Sequence, residues 1–444
     1  MIQAGSAEVA PNIALPEPLT LEYLLGDLYH LQTPKILLQN ARLQQAKSLI
    51  STEQVSTDWQ ANIEGRLGWR EFAQETQNHH QLALHIGKVL YDFDQTDLQV
   101  LSVQQRLQAE EMLREAVENQ ERLSIMQAFF NVILADFQFR IDDEAMAVEY
   151  VGFDKVKDRH AIGQLSDVDL LAAENSYQKI LVNRVRSESN QLQSRVLFVN
   201  VLHLPTARPG DFTFPSLKSF VKRSLEGISL EDLQDKVLSG SPRLQSVLQQ
   251  VSSQKVALES ALLHGKPTVR ADAWAGQLSS YPEIREGNWR AEVSVNIPLY
   301  DAGTQASVAT AKANLAIVEA EYQQLSQSLR DQVTDLYFQI KLLQAEKKQH
   351  QAFGDYADLY LDYSRALYEN ESSTDLGDSM VRLSQANYDQ VGWQFKQALL
   401  WSQVDYLMGK KVGLDLPVKE QNNTAGASSA HPLNPSLNKQ EVQS

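Results

Sequence analysis

The sequence predicts a mainly α-helical protein with a small β part: a duplicated coiled coil of very long helices that also carries four strands. Three observations lead there. First, the chain is written twice. Leu19-Thr20-Leu21-Glu22 returns as Ile228-Ser229-Leu230-Glu231, Thr33-Pro34-Lys35 as Ser241-Pro242-Arg243, Tyr91-Asp92 as Tyr300-Asp301, and Phe129-Phe130 as Tyr337-Phe338. The offset is 208 or 209 residues each time. Solenoid repeats run about 20–50 residues, so each copy here is half a protein. Second, no proline interrupts Gln95 to Lys157 or Thr304 to Tyr368. Third, each copy holds two short segments that alternate apolar and polar residues.

Residues 1–18, with Pro11, Pro16 and Pro18, read as an extended N-terminal arm. The first repeat spans 19–202, a Pro- and Gly-containing connector 203–227, and the second repeat 228–413. The tail 414–444 has the composition of a disordered segment. Each repeat opens with a helical stretch. Pro34 breaks the first near its middle, and Ser229 with Asp232 has the spacing of a capping box at the start of the second.

The strand pairs follow at 59–91 and 268–300. In 59–69, Trp59, Ala61, Ile63, Leu67 and Trp69 alternate with Gln60, Asn62, Glu64 and Arg66; a polar loop, 70–80, leads to a second strand at 81–91. In the second copy, strands are expected at 268–278 and 289–300. About eleven residues with aromatics near the ends suits a tilted membrane strand, and equally a hairpin in a soluble sheet. A helix of roughly 60 residues comes next in each copy, on the order of 90 Å long. In the second copy Leu315, Val318, Tyr322, Leu325, Leu329, Val333, Leu336, Ile340 and Leu343 step by three or four, the coiled-coil period. Polar turns near 160–169 and 368–378 lead into return helices ending about Val201 and Met408.

Composition excludes several functions. Net charge is −16, from 40 basic and 56 acidic residues, which disfavours phosphate-backbone binding. Cysteine is absent, so disulfides, thiolate metal sites and cysteine nucleophiles are impossible. No apolar run has the length of a membrane helix, and the N-terminus shows neither the basic nor the apolar part of a signal peptide. No nucleophile triad order, phosphate loop or dinucleotide fingerprint occurs, so no enzyme and no cofactor are expected. The adjacent His79-His80 lacks the i, i+4 spacing of a helical metal site, and no metal is expected there. Phe129, Phe130, Tyr337 and Phe338 read as core packing between helices.

The element order resembles that of the TolC-like outer-membrane efflux protein family over roughly residues 19–413. The most telling stretch is Glu292-Val293-Ser294-Val295-Asn296-Ile297-Pro298-Leu299-Tyr300-Asp301-Ala302-Gly303, similar to the family's strand and PL-aromatic-D-x-G turn before a long helix. Leu90-Tyr91-Asp92-Phe93 is a weaker first copy. The resemblance implies a homotrimer in the bacterial outer membrane. Each chain gives four strands to a twelve-stranded barrel, above an α-helical tunnel in the periplasm. It implies an exit duct of a tripartite efflux or type I secretion system, with a periplasmic adaptor (membrane-fusion) protein and an inner-membrane pump as partners. From the residues alone, a soluble long-helix scaffold is the competing reading, but a scaffold has no use for the strands.

The resemblance also places residues. It implies an acidic tunnel entrance at Asp375 and Asp378, with Asp169 as the first-copy equivalent; the same acids also suit the first turn of a return helix. Gly163 and Asn370 mark the tips expected to touch the adaptor. Trp59, Trp69, Tyr91, Trp289 and Tyr300 are the expected membrane-interface aromatics. The second tip departs from the family in lacking its usual Gly and nearby Arg.

Overall fold

The computed structural model describes residues 15–26, 33–72, 75–78, 80–279, 286–299, 301–369 and 376–413. The first repeat holds α1 (Leu21–Gly26), α2 (Pro34–Val55), β1 (Gln60–Arg66), β2 (Trp69–Phe72), β3 (Glu75–Asn78), β4 (Gln81–Tyr91), α3 (Gln95–Ala161) and α4 (Asp167–Val201). The short α5 (Lys218–Lys222) lies in the connector. The second repeat holds α6 (Leu230–Gly240), α7 (Pro242–Leu263), β5 (Thr268–Ser279), β6 (Glu286–Asn296), α8 (Ala302–Glu369) and α9 (Leu376–Leu407).

Helix starts follow local chemistry. Thr33 caps α2 by accepting a hydrogen bond from the Ile36 N–H, and Pro34 occupies a first-turn position where its missing N–H costs nothing. Ser229 and Asp232 form the expected capping box on α6. Each long helix is capped by the aspartate that ends the strand motif. Asp92 accepts from the Thr96 N–H at 3.0 Å, and Asp301 accepts from the Gly303 N–H at 2.8 Å and the Thr304 hydroxyl at 2.9 Å. In the first copy the turn is made without glycine, and Phe93 and Asp94 take positive φ of 59° and 65°. At about 1.5 Å per residue, the 67-residue α3 and 68-residue α8 are each on the order of 100 Å long.

The four-stranded sheet is antiparallel in the order β1-β4-β5-β6, so the β4·β5 pair joins the two repeats. The duplication is visible in its register: Ile63 faces Leu84, and 208 and 209 residues on, Ala271 faces Val293. Two expectations are corrected here. The polar loop 70–80 carries a two-stranded ribbon, β2·β3, because Arg70 to Gln77 continues the cross-strand ladder outward. The strand expected at 289–300 starts earlier, at Glu286, and stops at Asn296, since Pro298 has no N–H for the ladder.

Below the sheet the helices stand in a row, α2-α3-α7-α8; towards the tips the row is α4-α3-α9-α8. Arg195 forks onto Asp136 and Arg184 bonds Asp143, fixing α4 on α3. Between α3 and α7 the seam is made of small residues. The Ser102 hydroxyl donates to the Ser253 carbonyl at 3.0 Å, the Ser253 hydroxyl to the Ser102 carbonyl at 2.8 Å, and Ser260 to the Gln95 carbonyl at 3.0 Å. Such reciprocal bonds to the backbone require two helices in close contact.

The core sits where the rows meet. Phe129, Phe130, Phe198, Phe220 and Phe395 are buried there, and Phe130 stacks on Phe395 with centroids 4.1 Å apart. The connector is part of this core: Leu19 bridges to Phe212, and Leu217, Phe220 and Leu225 are buried. The α8 seam behaves as its period predicts from Leu329 to Leu343, with Tyr322 and Leu325 at its margin. Phe338 does not: it is 55% exposed, because it lies on the opposite side of α8 from that seam.

Candidate channel wall and entrance

The sheet is inside out relative to one in a water-soluble protein. Side chains alternate across a strand, so each strand gives one row to each face. One face carries Ile63 on β1, Leu84 and Ile86 on β4, Ala273 and Ala275 on β5, and Trp289, Val293 and Val295 on β6. This apolar face is open: Ile63 is 75% and Val293 66% exposed. The other face is charged and closely bonded. His85 has Nδ1 at 2.9 Å from Asn62 Oδ1 and 3.2 Å from Glu64, and Nε2 at 2.9 Å from Asp272. Arg270 donates to the same Asp272 oxygen at 2.9 Å. Trp274 is held between the His85 ring, 4.7 Å away, and the Arg290 guanidinium, 3.9 Å away, and its indole N–H donates to Glu64. A Cβ on Gly87 would come within 2.5 Å of Asp272 and 2.8 Å of Arg270, so glycine leaves the room in which this network closes.

The network was missed in the sequence reading, which followed the apolar row. Its signal lay in the other row: Asn62, Glu64, His85, Arg270, Asp272, Arg290 and Glu292 all fall at alternate positions, with both charge signs present. That is the composition of a barrel interior.

Aromatic residues stand at both ends of the apolar band. Trp59 and Tyr91 are exposed at the helix end, Tyr91 against Phe93 and Trp59 beneath the Lys88 ammonium. Trp69 and Trp289 are exposed towards the far end, and Trp69 meets His80 edge to face. From Trp59 to Trp69 is ten steps, roughly 33 Å along a strand, or roughly 25 Å of height at a 40° tilt. Tyr300 and His79 lie outside the described residues.

At the first tip, α3 ends with Gly163 in the left-handed region (φ 76°), with its N–H donating to the His160 carbonyl. Nothing surrounds the place where its Cβ would sit, so the positive φ is what favours glycine. His160 bonds Asp167 across the turn at 2.7 Å. Ser166 then caps α4 in a full capping box with Asp169. Asp169 is therefore engaged in the turn: its carboxylate accepts from the Ser166 hydroxyl at 2.7 Å and N–H at 3.0 Å. At the second tip, Asp378 is exposed in the first turn of α9, and a Cβ on neighbouring Gly377 would meet Val148 of α3 at 2.6 Å. Asn370, Glu371 and Asp375 lie outside the described residues, so the structure does not bring Asp375 and Asp378 together or apart.

The Ser166 hydrogen bonds hold the Asp169 carboxyl below the ordinary aspartate value of 3.8. A lowered folded value means that the box stabilises the start of α4 fully above pH 3.8 and that this support is lost as pH falls through the lower, folded value. Hydrogen-exchange protection of the Asp169 and Leu170 amides, corrected for intrinsic rate, is expected to decline in that acid range and to decline at neutral pH in Ser166→Ala. Protection unchanged in both would mean the turn is held by other contacts.

Comparison with known proteins agrees with this architecture. The family model described as outer membrane efflux protein matches residues 233–409. No curated protein sequence matches the chain. Among solved structures, the chain is similar to the MtrE outer membrane channel of Neisseria gonorrhoeae in its open state, at 14% identity and TM-score 0.70, covering 88% of this chain and 89% of that one. It is similar to the CmeC outer membrane channel of Campylobacter jejuni, at 13% identity and TM-score 0.69, covering 88% and 85%. It is also similar to CusC, whose crystal structures concern folding and transmembrane channel formation, at 17% identity and TM-score 0.70, covering 88% and 92%. Residues 233–409 thus match the outer membrane efflux protein family model, and 88% of the chain shares the fold of these outer-membrane channels.

Proposed function

We propose that three copies of this chain close into a channel in the bacterial outer membrane. It serves as the passive exit duct of a tripartite efflux or type I secretion system, with its helices in the periplasm. The observation that carries the reading is the open apolar face of the sheet opposite a polar face whose charges bond one another around His85. Water penalises that arrangement and lipid favours it. The sheet edges β1 and β6 need partners, because each unpaired backbone group in hydrocarbon costs several kcal/mol. Two copies would supply eight strands, an interior that side chains fill; three supply twelve and leave an opening. The aromatics at Trp59, Trp69, Tyr91, Trp289 and Tyr300 sit at the two lipid–water boundaries.

The entrance lies at the tips. Asp375 and Asp378, and through its turn Asp169, ring the constriction, while the tips around Gly163 and Asn370 meet the periplasmic adaptor beneath the inner-membrane pump. Exposed Ile162, Val168 and Leu171 support contact at the first tip, since apolar residues there have no core to join. Threefold symmetry would bring six carboxylates from Asp375 and Asp378 together. Two unit charges 6 Å apart repel by roughly 0.7 kcal/mol in water and about 3 kcal/mol at an effective dielectric near 20, so the ring attracts cations. Purified in detergent, the protein should run as a trimer. In planar bilayers it should show cation-selective conductance blocked by a trivalent cation. Asp375→Asn/Asp378→Asn should lose both selectivity and block. A double variant keeping both would move the entrance to Asp167, Asp169 or Glu371, and a monodisperse monomer soluble without detergent would end the channel reading.

A further inference from the structure

We propose that the groove between α2 and α3 holds a binding site for a compact dianion, a phosphate group or a small dicarboxylate. The groove contains a cavity of about 230 Å³, lined by Arg42, Gln45, Ala46 and Leu49 of α2 and by Arg106 and Glu110 of α3. Both helices belong to one chain, so the cavity exists whether or not copies assemble.

Its charge sets it apart. Two guanidinium groups from neighbouring helices line one cavity, in a chain of net charge −16. Neither has a hydrogen bond or an ion pair among the described residues. Like charges across a helix seam weaken that seam unless a counter-charge stands between them. Glu110 does not supply it. It lies four residues after Arg106, the spacing at which Arg114 and Glu118 pair at 3.1 Å on the same helix. Yet its carboxylate accepts from the buried Gln39 amide at 2.9 Å instead, and the same nitrogen donates to the Glu110 carbonyl at 3.0 Å.

The duplication is an internal control. Two hundred and eight residues on, the equivalent seam is α7 on α8, and Arg42 and Arg106 become Gln250 and Asn314. That seam is crossed by an ion pair, Lys255 with Glu319 at 4.0 Å. The counterparts of this pair, Lys47 and Glu111, form no bridge in the first repeat. Packing the two helices therefore needs neither arginine. The first repeat has a cationic pair where the second has a neutral one, and an anion is its complement.

The donors set the class of ligand. Each arginine offers a planar fork that matches two oxygens of a carboxylate or phosphate. Two forks suit a group with oxygens on two sides. Drug-sized ligands take about 300–1,000 Å³, so this smaller cavity suits inorganic phosphate, a short phosphate ester or a four-carbon dicarboxylate. The Gln45 amide adds a neutral donor, and Ala46 adds only a methyl group.

Wild-type protein in detergent, titrated calorimetrically at an ionic strength held with sodium chloride, should bind inorganic phosphate or succinate at one site per chain, with a Kd of roughly 1 mM or tighter. Tighter phosphate marks a phosphate ligand, tighter succinate a dicarboxylate. Acetate should bind at least about tenfold more weakly than the preferred dianion. Arg42→Gln and Arg106→Asn, the residues of the second repeat, should each weaken binding about tenfold or more, and the double variant should lose it. Gln45→Glu, at an exposed position, should lose it too by placing a carboxylate in the cavity, and it decides the matter if the double variant does not fold. No saturable binding of either dianion by wild-type protein, or binding retained in the double variant or in Gln45→Glu, overturns the site. Either result leaves the channel reading standing, because that reading turns on the sheet.

Discussion

Val293→Arg is expected to abolish assembly of the protein in the outer membrane while leaving the helical part folded. Val293 stands in the middle of β6 on the apolar face and is 66% exposed in the single chain. An arginine at the midplane of a barrel's lipid face costs about 2–4 kcal/mol, and a trimer carries three, about 6–12 kcal/mol in all. Ser294→Glu is the matched control. It adds a charge one residue along, on the polar face, directly across from Arg270. Heat-resistant trimer in the membrane fraction should vanish for the first variant and persist for the second. Equal amounts from both would mean that the apolar face does not meet lipid.

Phe130→Ala is expected to destabilise the fold by about 3–5 kcal/mol, the cost of emptying a buried aromatic site. The ring is fully buried and bridges the repeats, stacking on Phe395 and meeting Phe129 edge to face. Trp393 and Trp401 lie in the same core, and Trp393 donates its indole N–H to the Leu343 carbonyl, so their fluorescence follows its unfolding. Phe338→Ala removes the repeat counterpart from an exposed position. It should leave that fluorescence transition almost unmoved and lower trimer yield instead. If Phe338→Ala shifts the intrachain transition as far as Phe130→Ala, Phe338 packs within its own chain.

That pair of phenylalanines also shows what the sequence could tell. The coiled-coil period found the buried seam of α8 from Leu329 to Leu343 because a heptad repeat reports that a helix has a partner. It could not report whose helix that is. Phe338 sits at the same spacing as its neighbours on a second seam, and the notion of core assigned it to its own chain. The strands were legible as alternation, but their ends were not: the 70–80 loop is polar whether it pairs or not, so β2 and β3 left no apolar trace. The polar network round His85 was legible in composition only. Which of its charges meet depends on the β4·β5 register across the repeats, and no local pattern encodes that. At the first tip, Asp169 was singled out by position in the duplicated pattern. The Ser166 hydroxyl three residues earlier was the nearer clue, because a serine at that spacing engages the carboxylate in a helix cap.

Among the described side chains on the polar face of the sheet, Arg66, Arg270 and Arg290 stand against Glu64, Asp272 and Glu292. In the proposed trimer these charges would line the interior of the barrel. Salt bridges tie Arg270 to Asp272 and Arg290 to Glu292. Fields from paired opposite charges fall off within a few ångströms, so in the proposed channel these two pairs would present cargo of either sign with a nearly level potential. In the proposed channel, cargo that has passed along helices of about 100 Å would therefore meet no deep electrostatic well from these pairs at the last step.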